Sequence, residues 1–181
     1  MSKLIILDRD GVINHDSLHY IKSPGEYIHL PGSCEAIARL SRAGYRVAVA
    51  TNQSGVARGF YDETQLAAIH AKMLAAVNAA GGAIDFILHC PHMPEAGCLC
   101  RKPQPGMLQA IARHFNTTLE NVPFVGDRVS DIQAAQAAGA TPFLILSPMT
   151  DRVALDAYPE VPVFDSLAQF VDMLLVQQCF H

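Results

Sequence analysis

The chain opens on four consecutive apolar residues, Leu4 to Leu7, and runs straight into Asp8-Arg9-Asp10-Gly11. An apolar run of that length suits a short buried strand and is too short for a helix. After a polar connection from Asn14 to Pro31, punctuated by Pro24-Gly25 and Pro31-Gly32, the spacing of Ile37, Ala38 and Leu40 predicts a helix. Ser33 would cap that helix and Gly44 end it. Tyr45 to Ala50 reads as a valine-rich second strand. Asp62 and Gln65 have the spacing of a capping box ahead of a helix from Glu63 to about Ala80, with Leu66, Ile69, Met73, Leu74 and Val77 on one face. Ile84 to Cys90 follows as a strand, and Pro91 to Pro105 as an irregular loop rich in Pro, Cys and Gly. Gly106 to Phe115 is an amphipathic helix, Val122 to Val125 a strand, and Ser130 to Ala138 a helix stopped by Gly139. Thr141 to Leu146 and Val161 to Phe164 complete the strands, and Ser166 caps a last helix through about Gln177.

Strands alternating with helices call for a parallel sheet covered on both faces, an α/β, doubly wound, Rossmann-like architecture. The 181 residues show no internal repeat and no shift in composition, so residues 1–181 are expected to form one domain. Half of the residues are hydrophobic and 17% are charged, which is the balance of a folded globular protein. A net charge of -4 and a pI near 6.0 give no electrostatic basis for binding nucleic acid or an anionic membrane. No apolar stretch approaches the ~20 residues of a membrane span. A core strand almost at the amino terminus leaves no room for a signal peptide, so a cytoplasmic protein is expected.

The polar residues that interrupt this pattern collect at the ends of predicted strands. Asp8 and Asp10 follow the first strand, Thr51 and Asn52 the second, and Asp127 and Asp131 the fourth. In a doubly wound sheet these positions share the edge where ligands bind. Were the strand to stay extended, Asp8 and Asp10 would point the same way, and one would be protonated unless a cation lay between them. Carboxylates, water and substrate oxygens together suit Mg²⁺. An Asp-x-Asp-Gly turn that only caps a strand fits the same stretch by itself. Thr51-Asn52-Gln53-Ser54-Gly55 has the hydroxyl, side-chain amides and backbone amides of a phosphate cradle, or of a simple strand-to-helix turn. Arg101 and Lys102 add two cations suited to anionic oxygens, or a solvated basic pair.

Cys90 and His92, five intervening residues, then Cys98 and Cys100 supply three thiolates and an imidazole, a complete tetrahedral Zn²⁺ shell with no open position. The expectation is a structural zinc site stapling residues 90–100. Reduced free cysteines are the alternative, and His89 is a second candidate ligand. A closed zinc site would order a loop with little apolar content and place Arg101 and Lys102, which directly follow its last ligand.

Taken together, Asp8-x-Asp10-Gly-Val, Thr51, Lys102-Pro-x-Pro and Gly126-Asp127-x-x-x-Asp131 closely resemble the four motifs of the haloacid dehalogenase-like hydrolase superfamily, over nearly the whole chain. The resemblance implies Asp8 as nucleophile, Asp10 as acid and base, and Thr51 and Lys102 as holders of the phosphoryl oxygens. It implies Mg²⁺ on Asp8, Asp127 and the backbone carbonyl of Asp10, with Asp131 behind them. The zinc loop narrows the likeness to a small, nearly capless heptose-bisphosphate phosphatase branch, which also resembles histidinol-phosphate phosphatases. By that resemblance Arg101 would grip a non-transferred phosphate, Asn52, Gln53, Ser54 and Arg128 would line the pocket, and Asp16 to His19 would meet sugar hydroxyls. The expected partner is a phosphorylated sugar and the expected state a monomer. Histidinol phosphate is the second substrate, its cation met by Asp16 and Glu26; a catalytically idle zinc-stapled binding module is the reading from another class.

Overall fold

The computed structural model describes residues 3–178; Cys179 and His181, to which the sequence assigns no role, lie outside them. Six strands, β1 (Leu4–Leu7), β2 (Arg46–Asn52), β3 (Phe86–Cys90), β4 (Pro123–Gly126), β5 (Thr141–Ile145) and β6 (Val163–Phe164), form one parallel sheet in the order β3-β2-β1-β4-β5-β6. Helices α1 (Ser33–Arg42), α2 (Glu63–Ala79), α3 (Gly106–His114), α4 (Val129–Ala138), α5 (Arg152–Leu155) and α6 (Leu167–Gln178) connect and follow them.

The apolar run of β1 is continuous because both of its sides are covered. Ile5 and Leu7 pack into a core with Ile37 of α1, Ile69 of α2 and Phe170 of α6. Leu4 and Ile6 face the opposite way, into a core with Leu108 and Ile111 of α3 and Ala134 of α4. All four strand residues are buried. The strand order reverses between β1 and β4, whose register pairs Leu7 with Val125. That switch point opens a crevice at the carboxyl ends of the two strands, directly beside Asp8 and Asp127.

The α2 capping box forms as expected: the Asp62 carboxylate accepts from the Gln65 amide at 2.8 Å and the Gln65 side chain accepts from the Asp62 amide at 2.9 Å. Ser166 likewise accepts from the Gln169 amide at 3.2 Å at the start of α6. Other local expectations are corrected. Gly32, at φ 77°, takes the cap position of α1, and the Ser33 hydroxyl instead donates to the Ile13 carbonyl at 2.8 Å, tying the helix to the first loop. β2 continues past Ala50 because β3 goes on pairing with it, Thr51 opposite His89 and Asn52 opposite Cys90. β3 starts at Phe86 and β6 at Val163, later than the apolar runs suggest. The four-residue α5, capped by Asp151, is too short to show a helical period in sequence.

The long loop after β1 is held down rather than free. Lys72 of α2 donates to the carbonyls of Pro24 and Tyr27 at 2.6 and 2.8 Å, and Tyr27 is buried. Among the described residues no helix is long and apolar enough to cross a membrane.

Candidate active site

Asp8 leaves β1 with its amide bonded to the Val125 carbonyl of β4 at 2.8 Å, so the two strand ends advance together. The chain then turns at Gly11, whose φ of 83° favours glycine and whose missing Cβ leaves room for the Asp127 carboxylate. Asp131, in the first turn of α4, accepts from the amides of Asp127 and Arg128 at 3.1 and 3.0 Å through Oδ2. Its Oδ1 meets the Lys102 ammonium at 2.7 Å. Lys102 reaches in from the loop after β3, is buried, and also pairs with Asp8 Oδ1 at 3.0 Å and donates to the Ala50 carbonyl at 2.9 Å. Burial works against its charge, but Asp131 and Asp8 more than offset this and raise its pKa.

Three buried carboxylates, Asp8, Asp127 and Asp131, thus bring oxygens within 4.8 Å of one another. Lys102 pairs with Asp8 and Asp131. Burial, reinforced by the neighbouring carboxylates, pushes Asp8 up to about 7 and Asp127 to about 8. Asp127 accepts from the Ser147 hydroxyl at 2.6 Å through Oδ2, and its buried Oδ1 has no hydrogen-bond partner. An all-oxygen cluster of excess negative charge with an unsatisfied carboxylate oxygen fits a hard divalent cation such as Mg²⁺. The fit depends on the glycine turn: Gly11→Ala would drive a methyl group into Asp127. The Mg²⁺ concentration for half-maximal turnover should rise at least about 10-fold; an unchanged value would show that the turn is not needed there.

Asp8 and Asp10 are each met by a side-chain cation of their own. Lys102 serves Asp8, while the fully buried Arg9 guanidinium binds Asp10 at 2.8 Å. Asn14 and Gln53 add donors to Asp10 at 2.8 and 2.9 Å. Although burial works the other way, Arg9, Asn14 and Gln53 hold the Asp10 carboxyl below the usual range.

A cleft of about 490 Å³ opens above these groups, lined by Asp8, Asp10, Thr51, Lys102 and Asp131 below and by Asp16, Ser54, Arg101 and Arg128 on its walls. Gln53 also lines it, but its buried amide is engaged by Asp10 and by Thr51 Oγ1, the latter at 2.8 Å. Asn52 braces the third-motif loop, exchanging two 3.1 Å hydrogen bonds with the Lys102 backbone. Arg128 bonds Asp16 across the cleft at 2.7 Å. His19 is exposed and does not line the cleft. Ser147 and Thr150, which hold the side chain and the carbonyl of Asp127, are not singled out by the sequence motifs. Their signal is visible in retrospect, since Ser147-Pro148-Met149-Thr150 is the polar stretch at the carboxyl end of β5. Arg9 stands inside the first motif but is not singled out, and nothing in the sequence marks His70 on α2, whose buried ring meets Arg9 and is held down to about 3 by burial and by that charge.

Beside the cleft, the Cys90, Cys98 and Cys100 thiols and the His92 imidazole converge. Cys90 Sγ lies 3.4, 3.6 and 3.3 Å from His92 Nδ1, Cys98 Sγ and Cys100 Sγ, and Cys100 Sγ lies 3.3 Å from His92 Nδ1. These separations approach the edges, about 3.8 Å, of a tetrahedron built on 2.3 Å zinc–sulfur bonds. Burial pushes the Cys90 thiol up to about 12, so a cation is needed to keep it as thiolate. The four residues could hold a zinc ion. His89 turns away to Glu63 at 2.9 Å and is no part of the cluster.

Comparison with known proteins agrees with this geometry. The HAD-hydrolase-like family model matches residues 99–170. A D-glycero-beta-D-manno-heptose-1,7-bisphosphate 7-phosphatase of Pseudomonas putida is 52% identical over 174 residues, spanning 96% of this chain and 99% of that protein. The protein of the same name from Pseudomonas aeruginosa is 50% identical over 95% of this chain and 97% of its own length. Among solved structures, the D,D-heptose 1,7-bisphosphate phosphatase of B. bronchiseptica, complexed with magnesium and phosphate, superposes with a TM-score of 0.92 at 49% identity, over 97% of this chain and 99% of that one.

Proposed function

The chain belongs to the haloacid dehalogenase-like hydrolases, and we propose that it is a Mg²⁺-dependent phosphatase removing the 7-phosphate of D-glycero-beta-D-manno-heptose 1,7-bisphosphate. The product would feed synthesis of a nucleotide-activated heptose for lipopolysaccharide core or a related glycan. The observation that carries the reading is the convergence of Asp8, Asp131 and Lys102 on one cleft that Arg101 and Arg128 also line, with the buried Asp127 carboxylate within reach of Asp8 and Asp131.

Asp8 attacks phosphorus in line and forms an aspartyl-phosphate. The protonated form of Asp10, which its ring of donors makes the minor one, protonates the departing sugar oxygen, and the carboxylate so formed takes a proton back from the hydrolytic water. The Thr51 hydroxyl and the Lys102 ammonium hold the phosphoryl oxygens, over which charge spreads in a loose transition state. Asp8, Asp127 and the Asp10 backbone carbonyl would hold Mg²⁺, with Asp131 fixing Lys102 and the Asp127 loop. When bound, Mg²⁺ neutralises the approaching phosphate against three carboxylates. Arg101, at the mouth, meets the phosphate that is not transferred. The zinc loop, residues 90–100, is part of the same domain and sets Arg101 and Lys102. Reduced thiolate ligands support a cytoplasmic location.

Histidinol phosphate is the poorer fit because the acidic residues expected to meet its cation are engaged. Asp16 pairs with Arg128, and Glu26 with Lys22 at 3.2 Å. An idle binding module would not call for this complete set of buried, mutually destabilising carboxylates.

The deciding measurement is kcat/KM for both heptose bisphosphate anomers, histidinol phosphate and p-nitrophenyl phosphate, with Mg²⁺ and with EDTA. The beta bisphosphate should be preferred and EDTA should abolish turnover. Arg101→Ala should raise KM for the bisphosphate about 10- to 100-fold, the worth of one charge-assisted contact, and barely change that for p-nitrophenyl phosphate. Preference for histidinol phosphate would overturn the substrate.

A further inference from the structure

Asp10 is held on two sides by side chains that the phosphatase reading leaves without a role. On one side stands Arg9, 0% exposed, whose Nε donates to Asp10 Oδ1 at 3.0 Å and whose Nη2 donates to Oδ1 and Oδ2 at 2.8 and 3.1 Å. The remaining arm of its guanidinium, Nη1, meets His70 Nε2 at 3.2 Å. A guanidinium has donors only, so Nε2 must accept and the ring is the neutral tautomer protonated at Nδ1. His70 sits on the buried face of α2 and therefore fixes Arg9 from an element that carries no motif.

On the other side stands Gln53. Its Oε1 accepts from the Tyr61 hydroxyl at 2.6 Å, which settles the orientation of the amide. Both amide hydrogens then point inward, to Asp10 Oδ2 at 2.9 Å and Thr51 Oγ1 at 2.8 Å. Gly55 makes room for this arm, since a Cβ there would collide with the Tyr61 ring.

We infer that His70, acting through Arg9, and Tyr61, acting through Gln53, are positioning residues that aim the Asp10 carboxyl at the leaving-group oxygen. The inference rests on the phosphatase reading, in which Asp10 delivers the proton. A general acid acts only within hydrogen-bond reach, and a carboxyl free to rotate spends part of its time out of reach. The planar Arg9 guanidinium offers its donors in a fixed fork. Neither His70 nor Tyr61 touches the substrate or the reacting atoms.

A purely structural arrangement and a positioning one differ in their dependence on the leaving group. A sugar alkoxide leaves only with a proton, whereas p-nitrophenolate leaves without much help. The measurement is kcat/KM, which stops at leaving-group release and so excludes the second half-reaction. The full-length chain with Mg²⁺ is compared with His70→Ala, His70→Gln and Tyr61→Phe on the heptose bisphosphate and on p-nitrophenyl phosphate. His70→Ala and Tyr61→Phe should lower the sugar-phosphate value about 10- to 100-fold, a part of what general acid catalysis supplies, and the aryl value no more than about threefold. His70→Gln should recover most of the loss, because its amide oxygen can accept from Arg9. If His70→Ala does not fold, His70→Gln set against Tyr61→Phe makes the same comparison. Equal losses on the two esters, or no loss on the sugar phosphate, would overturn the inference. Turnover of neither ester by the unaltered protein would instead overturn the phosphatase reading, and this inference with it.

Discussion

Asp8→Asn should lower phosphatase turnover by at least about 10⁴-fold while leaving the fold intact, the size of loss seen when a nucleophile acting with its partners is removed. The substitution keeps shape and removes the anionic oxygen proposed to attack phosphorus. Asp8 lies on the cleft floor with Oδ1 bonded to its own chain at the Arg9 amide, 2.7 Å, and to Lys102. It is already oriented by groups that an asparagine can retain in part. A second readout separates lost chemistry from lost structure. Asp8 is pushed up to about 7, chiefly by burial, against ~3.9 in an unfolded chain. Between those values the native state binds more protons than the unfolded one, so Asp8 makes the metal-free protein less stable as pH rises through the window. Asn cannot ionise. The melting temperature of metal-free Asp8→Asn should therefore exceed that of the parent at pH 8 and match it near pH 4. Retained turnover, or a melting temperature that falls at pH 8, would refute the assignment of Asp8.

Loss of zinc should come next in effect. Protein prepared without chelators should carry about one zinc per chain, the stoichiometry of a single closed four-ligand shell. Cys100→Ser should remove it, lower kcat about 100-fold or more, and lower the melting temperature by about 5–10 °C. That fall corresponds to roughly 2–4 kcal/mol in a chain of this size. The loop has other ties, the Asn52 bridge to Lys102 and the Gly106 amide on the Leu99 carbonyl at 3.0 Å. The fold should therefore survive, and the damage should be greatest where Lys102 must reach Asp8 and Asp131. Limited proteolysis within residues 91–105 would report the loosened loop. A zinc-free preparation with full activity would remove the metal from the account.

Much of this was legible because local chemistry and global fold agree. The run Leu4–Leu7 could only be a strand buried on both sides, and Asp62 with Gln65 could be read as a cap because its partners lie three residues apart. The polar motifs were legible for a different reason: three sit at strand ends, whose parallel carboxyl ends share one edge, and Lys102 follows on the loop after β3. Ser33 misled because a hydroxyl before a helix has two uses, and only the position of the Ile13 carbonyl, twenty residues away, chose between them. His19 falls on the loop facing the cleft, yet its side chain lies outside the lining, a matter of loop path rather than composition.

By itself the sequence determined the class of fold, the chemistry of the donors and the order in which they arrive, because alternation, capping and ligand type are properties of neighbours along the chain. The tertiary structure decided the pairing: Lys102 between Asp8 and Asp131, Arg9 on Asp10, Ser147 on Asp127, His70 on Arg9 and Tyr61 on Gln53. Most of those partners are far apart in the chain, Lys102 and Asp8 by 94 residues, and burial makes each contact strong by excluding water. No local pattern encodes which buried charge faces which, since that depends on the sheet order placing β4 beside β1.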